Sequence, residues 1–119
     1  MKRGDTVWVP WTRWLDGEWQ WYPRCWTWMH TSNDRAELSD EAGGGRCDPD
    51  DLYATREACE AAIALRAASE AVAKAREAVV DAARVFVRRG HGPIAESVAA
   101  LEELERAETE ARARLEALR

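Results

Sequence analysis

The stretch that decides the fold of this 119-residue chain is Trp14-Leu15-Asp16-Gly17-Glu18-Trp19. An Asp-Gly pair between apolar and aromatic residues predicts a two-residue hairpin turn, because both turn positions need a positive φ. Counting outward from the turn pairs Trp14 with Trp19 and, three residues further along each strand, Trp11 with Tyr22. Trp14 and Trp19 then occupy a non-hydrogen-bonded pair, where facing side chains come closest.

All seven tryptophans lie in the first 28 residues, and the alternation of side chains distributes them between two faces. We expect the face that carries Trp14, Trp19 and Trp21 to be the core face of a small sheet, since aromatic side chains can fill a core that has few residues. The sheet is too small to cover seven tryptophans, so we expect Trp8 and Trp11 to be partly exposed.

Further short strands are predicted on both sides of this hairpin. Residues Val7–Val9 precede Pro10, residues Cys25–Met29 follow Pro23, and the two prolines meet where we expect the strand pairing to stop or bend. Residues 31–50 are rich in turn formers and acids and predict a loop. The N-terminal part is therefore predicted to be an antiparallel meander of three or four strands.

From Thr55 onward the sequence predicts two helices. Thr55 is the candidate N-cap of the first helix, and no glycine or proline follows it until Gly90. The first helix repeats apolar residues in alternating steps of four and three: Ala54, Ala58, Ala61, Leu65, Ala68, Val72, Ala75, Val79, Ala82 and Phe86. The second helix repeats a similar row: Ile94, Ser97, Leu101, Leu104, Glu108, Ala111, Leu115 and Leu118. The short connection Gly90-His91-Gly92-Pro93 stops and restarts the helix, which predicts an antiparallel helical hairpin with coiled-coil packing.

The two predicted helices differ in length. At 1.5 Å per residue, residues 55–89 span roughly 52 Å and residues 94–118 about 37 Å, so the N-terminal end of the first helix overhangs by about three turns. We expect the tryptophan-rich sheet to pack on this overhang. A second apolar row makes the stripe wider than one partner helix requires, so the sheet or a second copy of the protein should cover the excess. This row contains Ala64, Ala71, Ala78 and Val85.

The predicted fold class is α+β: a small tryptophan-rich antiparallel β-meander, SH3-like or a partial barrel, packed on a long antiparallel α-helical hairpin. Residues 1–50 form the sheet region with its acidic, glycine-rich loop, and residues 51–119 form the hairpin. We expect the two regions to make one compact unit.

The charge and hydropathy of the chain reduce the number of function classes that fit it. A formal net charge of -5 and the lack of a broad basic surface weigh against non-specific binding to nucleic acid or anionic lipid. The sequence predicts neither a signal peptide nor a transmembrane-length apolar run. We therefore expect a cytoplasmic protein with reduced thiols and no membrane association.

Candidate chemistry is sparse. The candidate zinc ligands are Cys25, His30, Cys47 and Cys59. Only Cys25 and His30 are close in sequence, whereas structural zinc sites use close pairs, so we favour idle or buried thiols over a metal site or a disulfide. The two histidines offer no nucleophile and base together, and Gly43-Gly44-Gly45 lacks the lysine and helix start of a phosphate-binding loop. We expect neither enzymatic activity nor a cofactor.

Two segments resemble a known kind of protein: Arg3-Gly4-Asp5-Thr6-Val7-Trp8-Val9 and the joint Asp50-Asp51-Leu52-Tyr53-Ala54-Thr55-Arg56-Glu57-Ala58. They are similar to small bacterial and bacteriophage proteins in which an SH3-like barrel runs into a helix. The resemblance covers about half of the chain, and the long alanine-rich hairpin departs from it. It implies an accessory or host-interaction factor.

The leading hypothesis is a non-enzymatic protein-interaction factor, such as a phage-type or regulatory inhibitor that binds a host protein. A homodimer through the helices is the accompanying hypothesis. The candidate partner-binding residues are Trp8, Trp11, Arg13, Tyr22, Arg84, Arg88 and Arg89. The alternative is a nucleic-acid-binding module in which Trp11, Arg13 and Tyr22 stack on bases and contact phosphates. A small structural zinc protein is the second alternative.

Overall fold

The computed structural model describes residues 1–119 and has the predicted α+β order. Its elements are β1 (Thr6–Leu15), β2 (Glu18–Ser32), β3 (Arg35–Asp40), β4 (Gly43–Cys47), a 3-10 turn (Pro49–Asp51), α1 (Arg56–Arg89) and α2 (Ile94–Leu118). The four strands form one antiparallel sheet in the order β1-β2-β3-β4. The chain divides into two compact units. One contains Met1–Ile63 with Ala117–Arg119 and the other Ala64–Glu116, so α1 contributes to both.

The register of β1 with β2 is the predicted one. Asp16 and Gly17 form the turn with φ angles of 52° and 81°, and every pair counted outward from them is present. The rings of Trp14 and Trp19 lie 5.5 Å apart at 76°, an edge-to-face arrangement that aromatic pairs favour.

The prediction that pairing stops at the two prolines is wrong. Pro10 faces Pro23 in the middle of a ladder that continues to Thr6 and Thr27. By the same alternation that places Trp14 opposite Trp19, the two prolines form a non-hydrogen-bonded pair, whose backbone groups point away from the partner strand. Neither proline therefore removes a β1–β2 hydrogen bond.

The predicted loop over residues 31–50 is also wrong, because it contains β3 and β4. A second two-residue turn at Asn33 and Asp34, with φ angles of 52° and 61°, reverses the chain after β2. Asparagine and aspartate tolerate this left-handed conformation better than other residues with side chains. Ala36 and Leu38 then alternate into the core and are almost fully buried.

The core face of the sheet is the opposite of the predicted one. Trp14, Trp19 and Trp21 are 60%, 68% and 42% exposed. The buried cluster contains Val7, Val9, Trp26, Ala36, Leu38 and Cys47, with Trp11, Trp28 and Leu52 packed against it. Because the strands continue through the prolines, the two valines fix the inward face, and the period of two puts Trp11 on their side and Trp14 on the other.

The start of α1 belongs to the same compact unit as the sheet, which agrees with the predicted overhang. Trp8 and Tyr53 exchange two backbone hydrogen bonds of 2.8 and 2.9 Å just before the helix. The hydroxyl of Thr55 accepts a bond from the Ala58 amide at 3.2 Å, as expected for its N-cap position. The side chains buried along the first two turns are small: Ala58, Cys59, Ala61 and Ala62.

The second unit is the helical hairpin. Gly90 ends α1 with φ 76°, and α2 returns antiparallel, so that Arg76 on α1 meets Glu105 on α2 at 4.0 Å. We call the two predicted rows, Ala54 to Phe86 on α1 and Ile94 to Leu118 on α2, the seam. Most of its residues are buried or half-buried, but Ala54 precedes the helix and is exposed, and Phe86 is 48% exposed near the tip. In the predicted second row, Ala64, Ala78 and Val85 are exposed and Ala71 is half-buried.

Candidate protein-binding surface

The most exposed aromatic groups lie on a two-stranded extension of the sheet. β3 pairs with β2 only from Thr27 onward, so Pro10–Arg24 extends beyond it with β1 and β2 paired to each other alone. We call Pro10–Arg24 the tryptophan arm. Its strands reach roughly 20 Å from Pro10 to the turn at about 3.3 Å per residue.

One face of the arm is almost entirely apolar. Its outer residues pair as Thr12 with Trp21 and Trp14 with Trp19, and we call these four residues the tryptophan face. None of the four carries a charge, and all are exposed. Monomeric proteins rarely leave contiguous large apolar groups in water without a binding purpose, and tryptophan is the side chain most enriched in binding hot spots.

The opposite face of the arm is occupied by contacts within the chain. The Arg13 guanidinium lies 4.7 Å from the centre of the Tyr22 ring, and the Trp11 ring packs 5.0 Å from that of Trp26. Cation–π and aromatic pairs of this kind stabilise the two-stranded ribbon, which is only marginally stable alone. Trp11, Arg13 and Tyr22, the predicted stacking group, therefore share one face, but their side chains are largely occupied by these contacts within the chain.

Arg24 anchors the base of the arm to β3. Its guanidinium lies 4.0 Å from the centre of the Trp26 ring and donates a hydrogen bond to an Asp40 carboxylate oxygen at 2.5 Å. This hydrogen bond holds the pKa of Asp40 below its usual range, with further help from the Ala42 amide. The ion pair thus holds β2 to β3 at the point where the arm begins.

The remaining predicted partner-binding residues do not join this surface. Trp8 is half-buried beside Arg56, whose guanidinium lies 5.8 Å from its ring. Arg84, Arg88 and Arg89 are exposed at the end of α1, in the other compact unit. Sequence reasoning placed the exposed tryptophans at Trp8 and Trp11 and missed those of the tryptophan face. The signal that identifies them is the alternation of Val7 and Val9, continued through Pro10.

The candidate zinc ligands are dispersed. Cys25 and His30 are exposed on β2, whereas Cys47 and Cys59 are buried, and no group of three or more potential ligands comes together. Burial raises the pKa of the Cys47 thiol to about 11 and that of Cys59 to about 12, with nearby carboxylates adding to both shifts. The two buried thiols thus stay protonated and act as small apolar side chains.

These thiols predict a loss of stability at alkaline pH. In the unfolded chain they ionise near the ordinary value of 9.0, whereas in the folded protein they ionise only near 11 and 12. Between these values the unfolded state has released protons that the folded state keeps, so the free energy of unfolding falls as pH rises, by up to about 1.4 kcal/mol per pH unit for each thiol. Urea denaturation at pH 8, 9 and 10 measures this slope.

The matched control is Cys59→Ala, which keeps a small apolar side chain in a stretch of α1 that already buries Ala58, Ala61 and Ala62. Its slope between pH 9 and 10 should be about half that of the wild-type protein, since one of the two thiols is gone. An unchanged slope would show that other groups cause the alkaline dependence. Under native conditions, a thiol reagent should label Cys25 alone.

Neither helix combines the length and apolar character needed to cross a membrane. No protein-family model, curated protein or solved structure matches the chain, so its function must be inferred from its own surface chemistry.

Proposed function

We propose that the protein is a non-enzymatic interaction factor that binds another protein through the tryptophan face. The observation that carries this proposal is the exposure of three tryptophans on one uncharged face of a two-stranded arm. The role of a phage-type or regulatory inhibitor stays a prediction.

The size of the surface suits a binding anchor. The exposed fractions of Trp14, Trp19 and Trp21 are 60%, 68% and 42%. Since each tryptophan can bury about 150–250 Å², these fractions leave roughly 250–400 Å² to be covered by a partner. That is a third to a half of the about 800 Å² that each partner buries in an interface of standard size.

The chemistry of the face indicates the chemistry of the partner. The tryptophan face offers large rings, the indole N–H groups of Trp14 and Trp19 and one hydroxyl, but no charge. An apolar groove or strip rimmed by hydrogen-bond acceptors on another protein satisfies such a surface, because no buried charge is left without a partner. A nucleic acid fits less well, since Arg13 is stacked on Tyr22 on the opposite face and the chain is acidic overall.

The test removes the two most exposed rings. A partner captured from an extract of the native cell is purified, and its affinity is measured by calorimetry for the wild-type protein and for Trp14→Ser/Trp19→Ser. We expect the double variant to bind at least 30-fold more weakly, as for residues at the centre of an interface. The double variant should still unfold cooperatively in urea, because both rings are exposed.

The matched control changes the other face of the same arm. Arg13→Ala/Gln20→Ala replaces a cross-strand pair directly adjacent to Trp14 and Trp19 and should bind within about threefold of the wild type. Equal binding by the tryptophan double variant would contradict the proposal. Salt-sensitive binding of a single-stranded oligonucleotide, lost in Arg13→Ala, would support the nucleic-acid alternative instead.

A further inference from the structure

A second exposed apolar surface lies on α1, within the compact unit formed by the helical hairpin. Val80 is 48% exposed and Val87 is 84% exposed. Ala83 lies between them, and the steps of three and four place all three side chains on one face of the helix. A shallow groove runs along these residues beside Arg84 and Arg88. We call Val80, Ala83 and Val87 the α1 outer face.

This face is distinct from the seam that packs on α2. The seam residues Val72 and Ala82 are buried, and they point about 80° and 160° away from Val80 around the helix at 100° per residue. The α1 outer face therefore has no partner within the hairpin. Valine has a lower helix propensity than alanine or leucine. An exposed valine side chain also forgoes the free energy that its burial would release.

The charges beside this face have a definite order. Glu77, Asp81, Arg84 and Arg88 follow one another along a single flank, with the two acids nearer the start of the helix and the two bases nearer its end. The only internal ion pair among them joins Asp81 and Arg84 at 3.7 Å, and both side chains remain more than 60% exposed. Such an exposed pair contributes little to stability, so the four charges are available to another molecule.

A flank ordered in this way is complementary to itself when the direction of the second helix is reversed. We propose that the α1 outer face binds a second copy of this chain, with the two α1 helices antiparallel about a twofold axis beside Ala83. The Ala83 side chains of the two copies then meet at the axis, and Val80 of each copy packs between Ala83 and Val87 of the other. Glu77 and Asp81 of one copy lie alongside Arg84 and Arg88 of the other, whereas a parallel arrangement would oppose like charges.

The small size of the face sets the expected strength of the dimer. The segment from Ala73 to Arg88 is about 24 Å long at 1.5 Å per residue. A pair of such segments buries less than about 1,200 Å², the lower end of the range for stable interfaces. We expect a dissociation constant on the order of 10–100 μM. The dimer uses neither the tryptophan arm nor the partner of the arm. Its test is therefore independent of the test of the proposed function.

Sedimentation equilibrium of the full chain from 5 to 500 μM, in about 50 mM salt, tests the dimer. Val80→Glu/Val87→Glu should weaken self-association at least tenfold, because it places four carboxylates at the interface of the two copies. The matched control is Val85→Glu, a valine on the same turns that points away from the α1 outer face and is 37% exposed. A wild-type protein that is monomeric at 500 μM, or a control that weakens association equally, overturns the proposal.

A charge exchange tests the antiparallel direction. Glu77→Arg/Asp81→Arg and Arg84→Glu/Arg88→Glu should each lose self-association, since every contact on the flank becomes repulsive. An equimolar mixture of the two variants should associate with at least the affinity of the wild type, because one copy is then entirely basic and the other entirely acidic on that flank. Association of either variant alone at wild-type strength, or none in the mixture, overturns the charge-directed dimer.

Discussion

Trp26→Ala is expected to lower the free energy of unfolding by about 3–5 kcal/mol, the range for removing a large aromatic side chain from a core. Trp26 is only 4% exposed, its ring packs 5.0 Å from that of Trp11, and the Arg24 guanidinium lies over it. The substitution leaves a cavity between the sheet and these two side chains. A protein of this size has about 5–15 kcal/mol of stability in all, so the variant should be close to unfolding at 37 °C.

Urea denaturation followed by circular dichroism measures this loss, and Trp19→Ala is the matched control. Trp19 is on the same strand but is 68% exposed, and its ring makes an edge-to-face pair with Trp14. Its replacement should cost at most about 1.5 kcal/mol, the upper range for such a pair. Equal costs for the two substitutions would mean that the core lies on the other face of the sheet.

Gly45→Ala is expected to destabilise the protein by about 1–3 kcal/mol, although it adds only one methyl group. A Cβ at this position would lie 3.1 Å from the Cη2 atom of Trp26 and 3.2 Å from the Cη2 atom of Trp11. Both rings are held by their packing, so neither can withdraw without opening the core. Glycine is required here because the two indoles lie directly against the β4 backbone.

A double-mutant cycle isolates this steric cause. Trp11→Leu removes one of the two rings that a Cβ at Gly45 would strike, so Gly45→Ala should cost less in the Trp11→Leu background than in the wild type. Thermal denaturation of the four proteins gives the coupling. Strictly additive costs would show that Gly45→Ala acts through backbone propensity and not through the tryptophan rings.

The parts of the fold that depend on local rules could be predicted from the sequence. The Asp-Gly turn determines the β1–β2 register residue by residue, because a two-residue turn fixes which residues face one another. The apolar row from Leu65 to Ala82 likewise identifies the side of α1 that packs on α2. Both predictions are confirmed.

The assignment of the core face could not be made from the hairpin alone. The register determines which tryptophans share a face but not which face is inward. The inward face is determined by Val7 and Val9, which lie beyond Pro10. β3 and β4 were missed because their stability comes from pairing and from packing against Trp26, not from their own composition. Three glycines in a row are typical of a loop, and the rings of Trp11 and Trp26 that lie against Gly45 are not visible in the sequence.

The candidate binding surface could not be predicted either, because it also depends on which face of the sheet is inward. Exposure of Trp14, Trp19 and Trp21 follows only once the inward face is known. The α1 outer face, by contrast, could be recognised in the sequence by the order of its charges, yet a search for heptads selects the seam instead. Val80 and Val87 lie outside that seam.

The facing prolines of the arm have a consequence for the behaviour of the protein in a crowded solution. An exposed apolar ribbon is a template on which strands of other molecules can add through the unused backbone groups of its edges. Trp8 is already engaged with Tyr53 on one edge, and Pro10, the next outward-pointing position, has no N–H to offer. Pro23 withholds the same donor on the other edge. The arm can thus display its tryptophans to a partner while the base of both edges resists growth into an intermolecular sheet.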